Sequence, residues 1–531
     1  MKRLLMLLVP CATLLAQTPD VEKDAQAGFE SIRADDLRNH VAYLSSDALQ
    51  GRETSYPGEK SAADYIAAHF KSLGLKPLGD SGSFLQHFDL DLARISEHSS
   101  IAVTAGGETK TFYWLKDFVA FGGRELRATG PVACVGFTDN RTPDTARQEL
   151  AGKVVMTFLG SRAGGAMPAR RGFLRGARRD SGAVATLVVA GDSGDTSFER
   201  LLALLASAGA SRGTMTLTGD SARPARPGPP SFIVSQAMAR AILDAGDMSL
   251  PVLRALAAQD SLFMPRPVAS AMVSFAIRMD REQRRAENVV GLLEGSDPER
   301  SKDVVVFSAH FDHLGVGPNG AIYHGADDNG SGTAMVMELA EAFTRNPARP
   351  KCSLVFLTVS GEEKGLLGSS YYTTHPPIPL DRTVANLNTD MIGRVDTAHE
   401  KAGSAAYCYL IGADKISTEL DSILRVANRE SNNIDFDYRY DNDRDPNQYY
   451  RRSDHYNFAR KGVPIAFFFT GNHADYHKPT DTIDKIRFDQ MVKIGQVVYY
   501  AGWKTANFGR PLLKNGSGMG YRDQPSLARE P

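Results

Sequence analysis

In the second half of this 531-residue chain, acidic and imidazole side chains stand at the ends of apolar, strand-length runs, and few architectures accommodate that. Residues 303–308 run into Ala309-His310-Phe311-Asp312-His313, and residues 354–359 run into Gly361-Glu362-Glu363. A third run ends in Asn388-Thr389-Asp390, and Ile465-Ala466-Phe467-Phe468-Phe469 leads toward Tyr476-His477 and Asp481. Gly325-Ala326-Asp327-Asp328-Asn329-Gly330 lies between the first two runs. In an α/β sheet the carboxyl ends of the strands open on one crevice, so these groups are expected to meet. Carboxylates gathered away from water are too costly to desolvate unless positive charge sits among them. The pattern predicts a two-metal hydrolase.

The rest of the chain frames that site. Its start, Met1-Lys2-Arg3 followed by apolar residues 4–15, has the charged and hydrophobic parts of a secretory signal cut after Ala16. The protein is therefore expected to be exported, to the periplasm or outside the cell, with no stable membrane insertion once the signal is removed. Residues 17–125 read as the N-terminal part of the catalytic unit, with helical patterns from Ala34 and from Ala62 to Leu73. Residues 126–275 change character, with short strands such as Val132-Ala133-Cys134-Val135 and Gly- and Pro-rich joints, and read as a small inserted β-rich domain. From residue 276 to 508 strands and helices alternate, predicting an α/β/α sandwich around a mixed, mostly parallel sheet. Residues 509–531 read as a flexible tail. The 61 basic against 62 acidic side chains give no global field for nucleic acid. Cys134, Cys352 and Cys408 lie far apart in sequence, so neither a disulfide framework nor a thiolate metal site is expected.

Hydrolysis of an amide near neutral pH needs an activated water and a place for the charge of the tetrahedral intermediate. Two divalent ions about 3.5–4 Å apart can supply both. His310 and His477 are candidate nitrogen ligands, Glu363 and Asp390 candidate acidic ones, and one Asp of the 327–328 pair a candidate bridge. Glu362 is then a free carboxylate beside the ions, suited to general-base work on the water between them.

The blocks around His310, Asp328, Glu362-Glu363, Asp390 and Tyr476-His477, in that order, resemble those of the secreted co-catalytic zinc aminopeptidases of metallopeptidase family 28. The inserted region resembles their protease-associated domain, and Leu44-Ser45-Ser46-Asp47-Ala48-Leu49-Gln50-Gly51-Arg52 resembles a stretch of bacterial relatives. The resemblance implies two zinc ions per chain, with Asp328 as the bridge and Asp328-Asn329 as a cis peptide. It implies His310 and Asp390 on one zinc, and Glu363 and His477 on the other. It also implies that Asp312 orients His310 and that Tyr476 donates to the developing oxyanion. The implied activity is removal of N-terminal residues from peptides or proteins. The same fold is known in carboxypeptidases and glutaminyl cyclases, and a receptor-like protein that had lost catalysis is the remaining alternative.

Other features point to no second chemistry. His313, His324, His455 and His473 read as loop or hydrogen-bonding residues, and Asp454 and Asp481 as supporting acids or turn residues. The Arg-rich run 162–179 lacks interleaved aromatics and reads as a solvated face. In Asp441-Asn442-Asp443-Arg444-Asp445, Pro446 and Arg452 replace the Gly and Glu that a calcium loop requires. Gly209-Ala210-Ser211-Arg212-Gly213 matches a nucleophile elbow but follows a helical rather than a strand pattern.

Overall fold

Val304–His310, Ser353–Val359, Thr383–Thr389 and Ile465–Phe469 are buried along their whole length, as strands covered on both faces must be. They form the parallel centre of a ten-stranded mixed sheet, in the spatial order Ile465–Phe469, Thr383–Thr389, Val304–His310, Ser353–Val359. Antiparallel neighbours extend it on both sides: Tyr407–Ile411 beside Ile465–Phe469, and Met279–Leu293 followed by Leu85–Ile95 beyond Ser353–Val359. The computed structural model describes residues 19–515 except 121–123, 139, 141, 161–181, 193, 208–212, 221–227, 245–247, 260, 318–319 and 403–405. The signal at 1–16, the whole Arg-rich run 162–179 and residues 209–212 of the 209–213 motif lie outside the described residues, as does the tail beyond 515.

Alternate side chains of a strand point to opposite faces, and here each set has its own core. Val305, Phe307, Leu354, Phe356, Leu387 and Phe468 pack beneath the helices Ala34–Leu44, Gly332–Arg345 and Phe488–Asn507. Val304, Val306, Val355, Leu357, Phe467 and Phe469 pack on the other face with Tyr372 and Phe458, from the helices Leu367–Thr374 and His455–Arg460. This is the expected three-layer α/β/α arrangement.

An eight-stranded sheet with a separate hydrophobic core makes up a second unit. Its strands run from Ser100–Ala105 to Arg266–Ile277, so it takes in residues ahead of 126, where the composition changes. One of these early strands carries little apolar signal: Glu108–Tyr113 buries only Phe112. Thr214–Leu217, though inside that stretch of sequence, pairs instead with Leu85–Ile95 on the edge of the large sheet. Cys134, Cys352 and Cys408 are buried free thiols.

One acid within the helical layer is out of place energetically. Glu338 is buried and its carboxyl is pushed up to about 8, by burial first and then by Glu341 and Asp36, against the Arg33 amide that it accepts. The folded chain thus holds a proton there that an unfolded chain, at the ordinary value of 4.5, has released. Its contribution is complete below that ordinary value and is lost as pH rises through the folded value. Glu338→Gln is expected to match the wild type in thermal unfolding near pH 4.5 and to exceed it above pH 8. A gap of equal size at all pH values would contradict this.

Candidate metal centre

Each chemical group of the site is delivered by a strand end or by the loop beyond it. His310 is the last residue of Val304–His310, and its backbone carbonyl accepts from the Thr333 hydroxyl at 2.7 Å. Its Nδ1 lies 3.1 Å from the carbonyl oxygen of Asp312 and 3.6 Å from that residue's carboxylate. Asp312 thus orients the ring chiefly through its backbone. The Asp312 carboxylate instead accepts from the Thr54 hydroxyl at 2.8 Å and the Glu362 amide at 3.2 Å, tying two ligand loops together.

The 325–331 loop is held from below. Gly325 has φ +58°, and a Cβ there would stand 2.5 Å from the His313 ring. The amides of Asp327 and Asp328 donate to the Asp481 carboxylate at 3.1–3.2 Å. Asp327 itself turns away from the cluster, accepting from the Gly393 amide at 2.7 Å and facing His473 Nε2 at 3.2 Å. Asp328 turns inward, and the Asp328–Asn329 bond is cis. The Asn329 side chain donates to the Thr389 carbonyl and accepts from the Gly332 and Met391 amides, fastening this loop to the one that carries Asp390.

The inward groups form two clusters that share Asp328. His310 Nε2 is 3.5 Å from Asp328 Oδ1 and 3.5 Å from Asp390 Oδ1, with Glu362 Oε2 at 3.9 Å. His477 Nε2 is 3.1 Å from Asp328 Oδ2 and 3.3 Å from Glu363 Oε2. His313 Nδ1 joins the second cluster at 2.9 Å from Glu363 Oε1. Ligands at about 2.1 Å around a tetrahedral ion stand roughly 3.4 Å apart, close to these separations. Asp328 Oδ2 and Asp390 Oδ1 are buried and accept no hydrogen bond among the described residues, as expected of oxygens reserved for a cation. The donor set therefore fits divalent metal ions.

The electrostatics follow from the negative charge gathered here. Burial, reinforced by Glu363, Asp390 and Asp454 and opposed by His310, drives the Glu362 carboxyl well above the usual range. Burial would lower His477, but Glu363 and Asp328 outweigh it and lift the imidazole to about 11. Burial likewise pushes Asp454 up to about 7 beneath this cluster. Tyr476 stacks on His477 with ring centroids 3.9 Å apart, and its hydroxyl accepts from the Arg452 guanidinium at 3.1 Å. Its phenol is held well above its ordinary value by burial and by Asp328 and Glu363.

Arg52 has no role legible in the sequence. Its guanidinium is fully buried and donates to the carbonyls of Phe311 at 2.8 Å, His324 at 2.8 Å and Gly325 at 3.0 Å, and also to that of Leu44. Burial lowers its pKa to about 10 while Asp312, Asp328, Asp481 and Glu363 raise it, so it stays charged at neutral pH. It joins the loop after His310 to the one before Asp328. No periodicity distinguishes such an arginine from a surface one.

Residues 288–502 match the family model described as peptidase family M28. Through that region, two fifths of its length, the chain is similar to peptidase family M28. The chain is 30% identical over 220 residues to aminopeptidase YwaD of Bacillus subtilis, an alignment covering 40% of this chain and 43% of that protein. It is 26% identical over 278 residues to leupeptin-inactivating enzyme 1 of Streptomyces exfoliatus, covering 45% and 54%. The chain thus spans about half the length of the curated relatives it matches. An aminopeptidase from Aneurinibacillus sp. strain AM-1 shares the fold more widely, with a TM-score of 0.55 at 19% identity over 93% of this chain and 97% of that one. The M28 region contains every inward-facing group of the cluster, and Arg52 lies outside it.

Arg52→Leu would strand buried carbonyls and remove the cation beneath the acidic loops. It is expected to cost about 3 kcal/mol or more in urea unfolding, with loss of bound metal. Stability and metal content equal to the wild type would show the strap to be dispensable.

Proposed function

We propose that this chain is an exported aminopeptidase that binds two zinc ions and hydrolyses the first peptide bond of peptides or proteins. The observation that carries the reading is the Asp328 carboxylate shared by two donor clusters, with Glu362 beside the first. His310 and Asp390 would hold one ion, Glu363 and His477 the other, and Asp328 both, with His313 supporting Glu363. The names of relatives, a zinc aminopeptidase of Bacillus subtilis among them, agree with that metal and activity. The export reading rests on residues 1–16, and no helix of the described residues is long and apolar enough to cross a membrane. The second unit is taken as a protease-associated domain.

When bound, zinc would polarise the scissile carbonyl and make water a stronger acid. The residues of the chain do the rest. Glu362, 3.9 Å from His310 Nε2, accepts the proton of the attacking water and passes it to the leaving amine. The Tyr476 hydroxyl keeps its proton and donates to the developing oxyanion. Arg452 donates to that hydroxyl's oxygen, which leaves its hydrogen free to face the substrate. Met391, Tyr449, Phe467 and Phe469 wall the space beside the cluster, a surface suited to an apolar N-terminal side chain.

Release of chromophore from amino-acyl anilides with free and with acetylated amines, together with zinc content, tests the reading. At least two zincs and cleavage of free-amine substrates alone are expected; one zinc or none and no cleavage would refute it. Glu362→Gln should keep its zinc and lose at least ~100-fold in turnover, as removal of a general base does. Asp328→Ala should lose metal itself, and full zinc retention would remove it as the bridge.

A further inference from the structure

His40, His69 and Glu341 meet where the helices Ala34–Leu44, Pro57–Ser72 and Gly332–Arg345 pack, and one donor atom from each lies within 4.8 Å of the others. We propose that these three residues form a further binding site for a divalent transition-metal ion, separate from the shared-aspartate centre. Glu341 stands nine residues along its helix from Gly332, about 14 Å from the end nearest Asp328 at the α-helical rise.

The chemistry of the three groups is that of a nitrogen-rich site. The two imidazoles approach edge to face with centroids 4.7 Å apart. Burial first, and His69 second, push His40 down to about 3, and burial also lowers His69. Both rings are therefore neutral at physiological pH, the form that ligates. His40 Nδ1 is engaged by the Tyr65 hydroxyl at 2.8 Å, which leaves Nε2 for a metal and fixes the ring, the usual role of a partner behind a ligating histidine. His69 Nε2 donates to the Met337 carbonyl at 3.3 Å and lies 3.9 Å from Glu341 Oε2, so a metal would take that nitrogen only by displacing its bond to the carbonyl, while the other Glu341 oxygen is held by Arg345. Closing to tetrahedral ligand spacing, roughly 3.4 Å, needs small side-chain rotations and no movement of a helix. Two histidines and one carboxylate suit zinc, copper or nickel over calcium or magnesium, with water completing the shell. A bound ion would tie the two N-terminal helices to the helix that follows the Asp328 loop.

The test uses the full-length protein saturated with zinc and then desalted, with Zn2+ alone as probe. His69→Asn and Glu341→Gln are each expected to carry one zinc fewer per chain than the wild type. Their turnover of amino-acyl anilides should be unchanged, and zinc should raise their Tm less than it raises that of the wild type. The comparison is a difference, so it reads this site whatever the number of ions at the shared-aspartate centre. Anomalous scattering at the zinc edge from wild-type crystals gives a readout independent of any variant folding. A peak between His40, His69 and Glu341 would establish the site; no peak at saturating zinc, or equal zinc in the wild type and both variants, would overturn it.

Discussion

Negative charge that cannot reach water is the constraint from which most of this structure follows. Asp312, Asp328, Glu363 and Asp390 converge in one buried crevice, and Asp327 and Asp481 lie directly beneath it. Their effect is visible in their neighbours: burial and the surrounding acids raise the Glu362 carboxyl, and, against burial, Glu363 and Asp328 raise the His477 imidazole. The chain answers with fixed dipoles and guanidinium groups, Arg394 standing 3.9 Å from Asp481. Amides of the 327–328 turn donate to Asp481, and Arg52 stands charged at neutral pH beneath the loops. What those devices leave uncompensated are the inward oxygens of Asp328 and Asp390, where a metal would complete the balance.

The sheet makes such crowding tolerable. Four fully buried parallel strands bring His310, Glu362-Glu363, Asp390 and His477 to one edge, and two apolar layers keep the strands in register. Apart from His310, which ends its strand, loops carry the candidate ligands, yet those loops are not loose. Asn329 fastens the Asp328 loop to the Asp390 loop, and Asp312 fastens the His310 loop to the Glu362 loop. A position error of an ångström in any ligand would spoil the geometry, and such bonds between loops prevent it.

Much of this was legible in the chain because the signals were local. The apolar runs ending in His310, Glu363 and Asp390 predicted strands, and the helix patterns from Ala34 and Ala62 are helices at Ala34–Leu44 and Pro57–Ser72. The inward turn of Asp328 and the outward turn of Asp327 were not readable from two adjacent identical residues. They depend on Gly393 and His473, more than sixty positions away. Arg52 was invisible for a related reason, since its partners are backbone carbonyls from three separate segments. The edge strand Glu108–Tyr113 of the second sheet escaped because it buries too little to alternate visibly.

Thr214–Leu217 belongs by sequence to the stretch that builds the second unit, yet it caps the outer strand of the large sheet. The two units are therefore interlaced rather than strung together. Cutting out the β-rich unit between its flanking strands would also strip that cap and leave the Leu85–Ile95 backbone bare, a template for pairing with another molecule. A shortened version of this protein that keeps its solubility must bring its own replacement for those four residues.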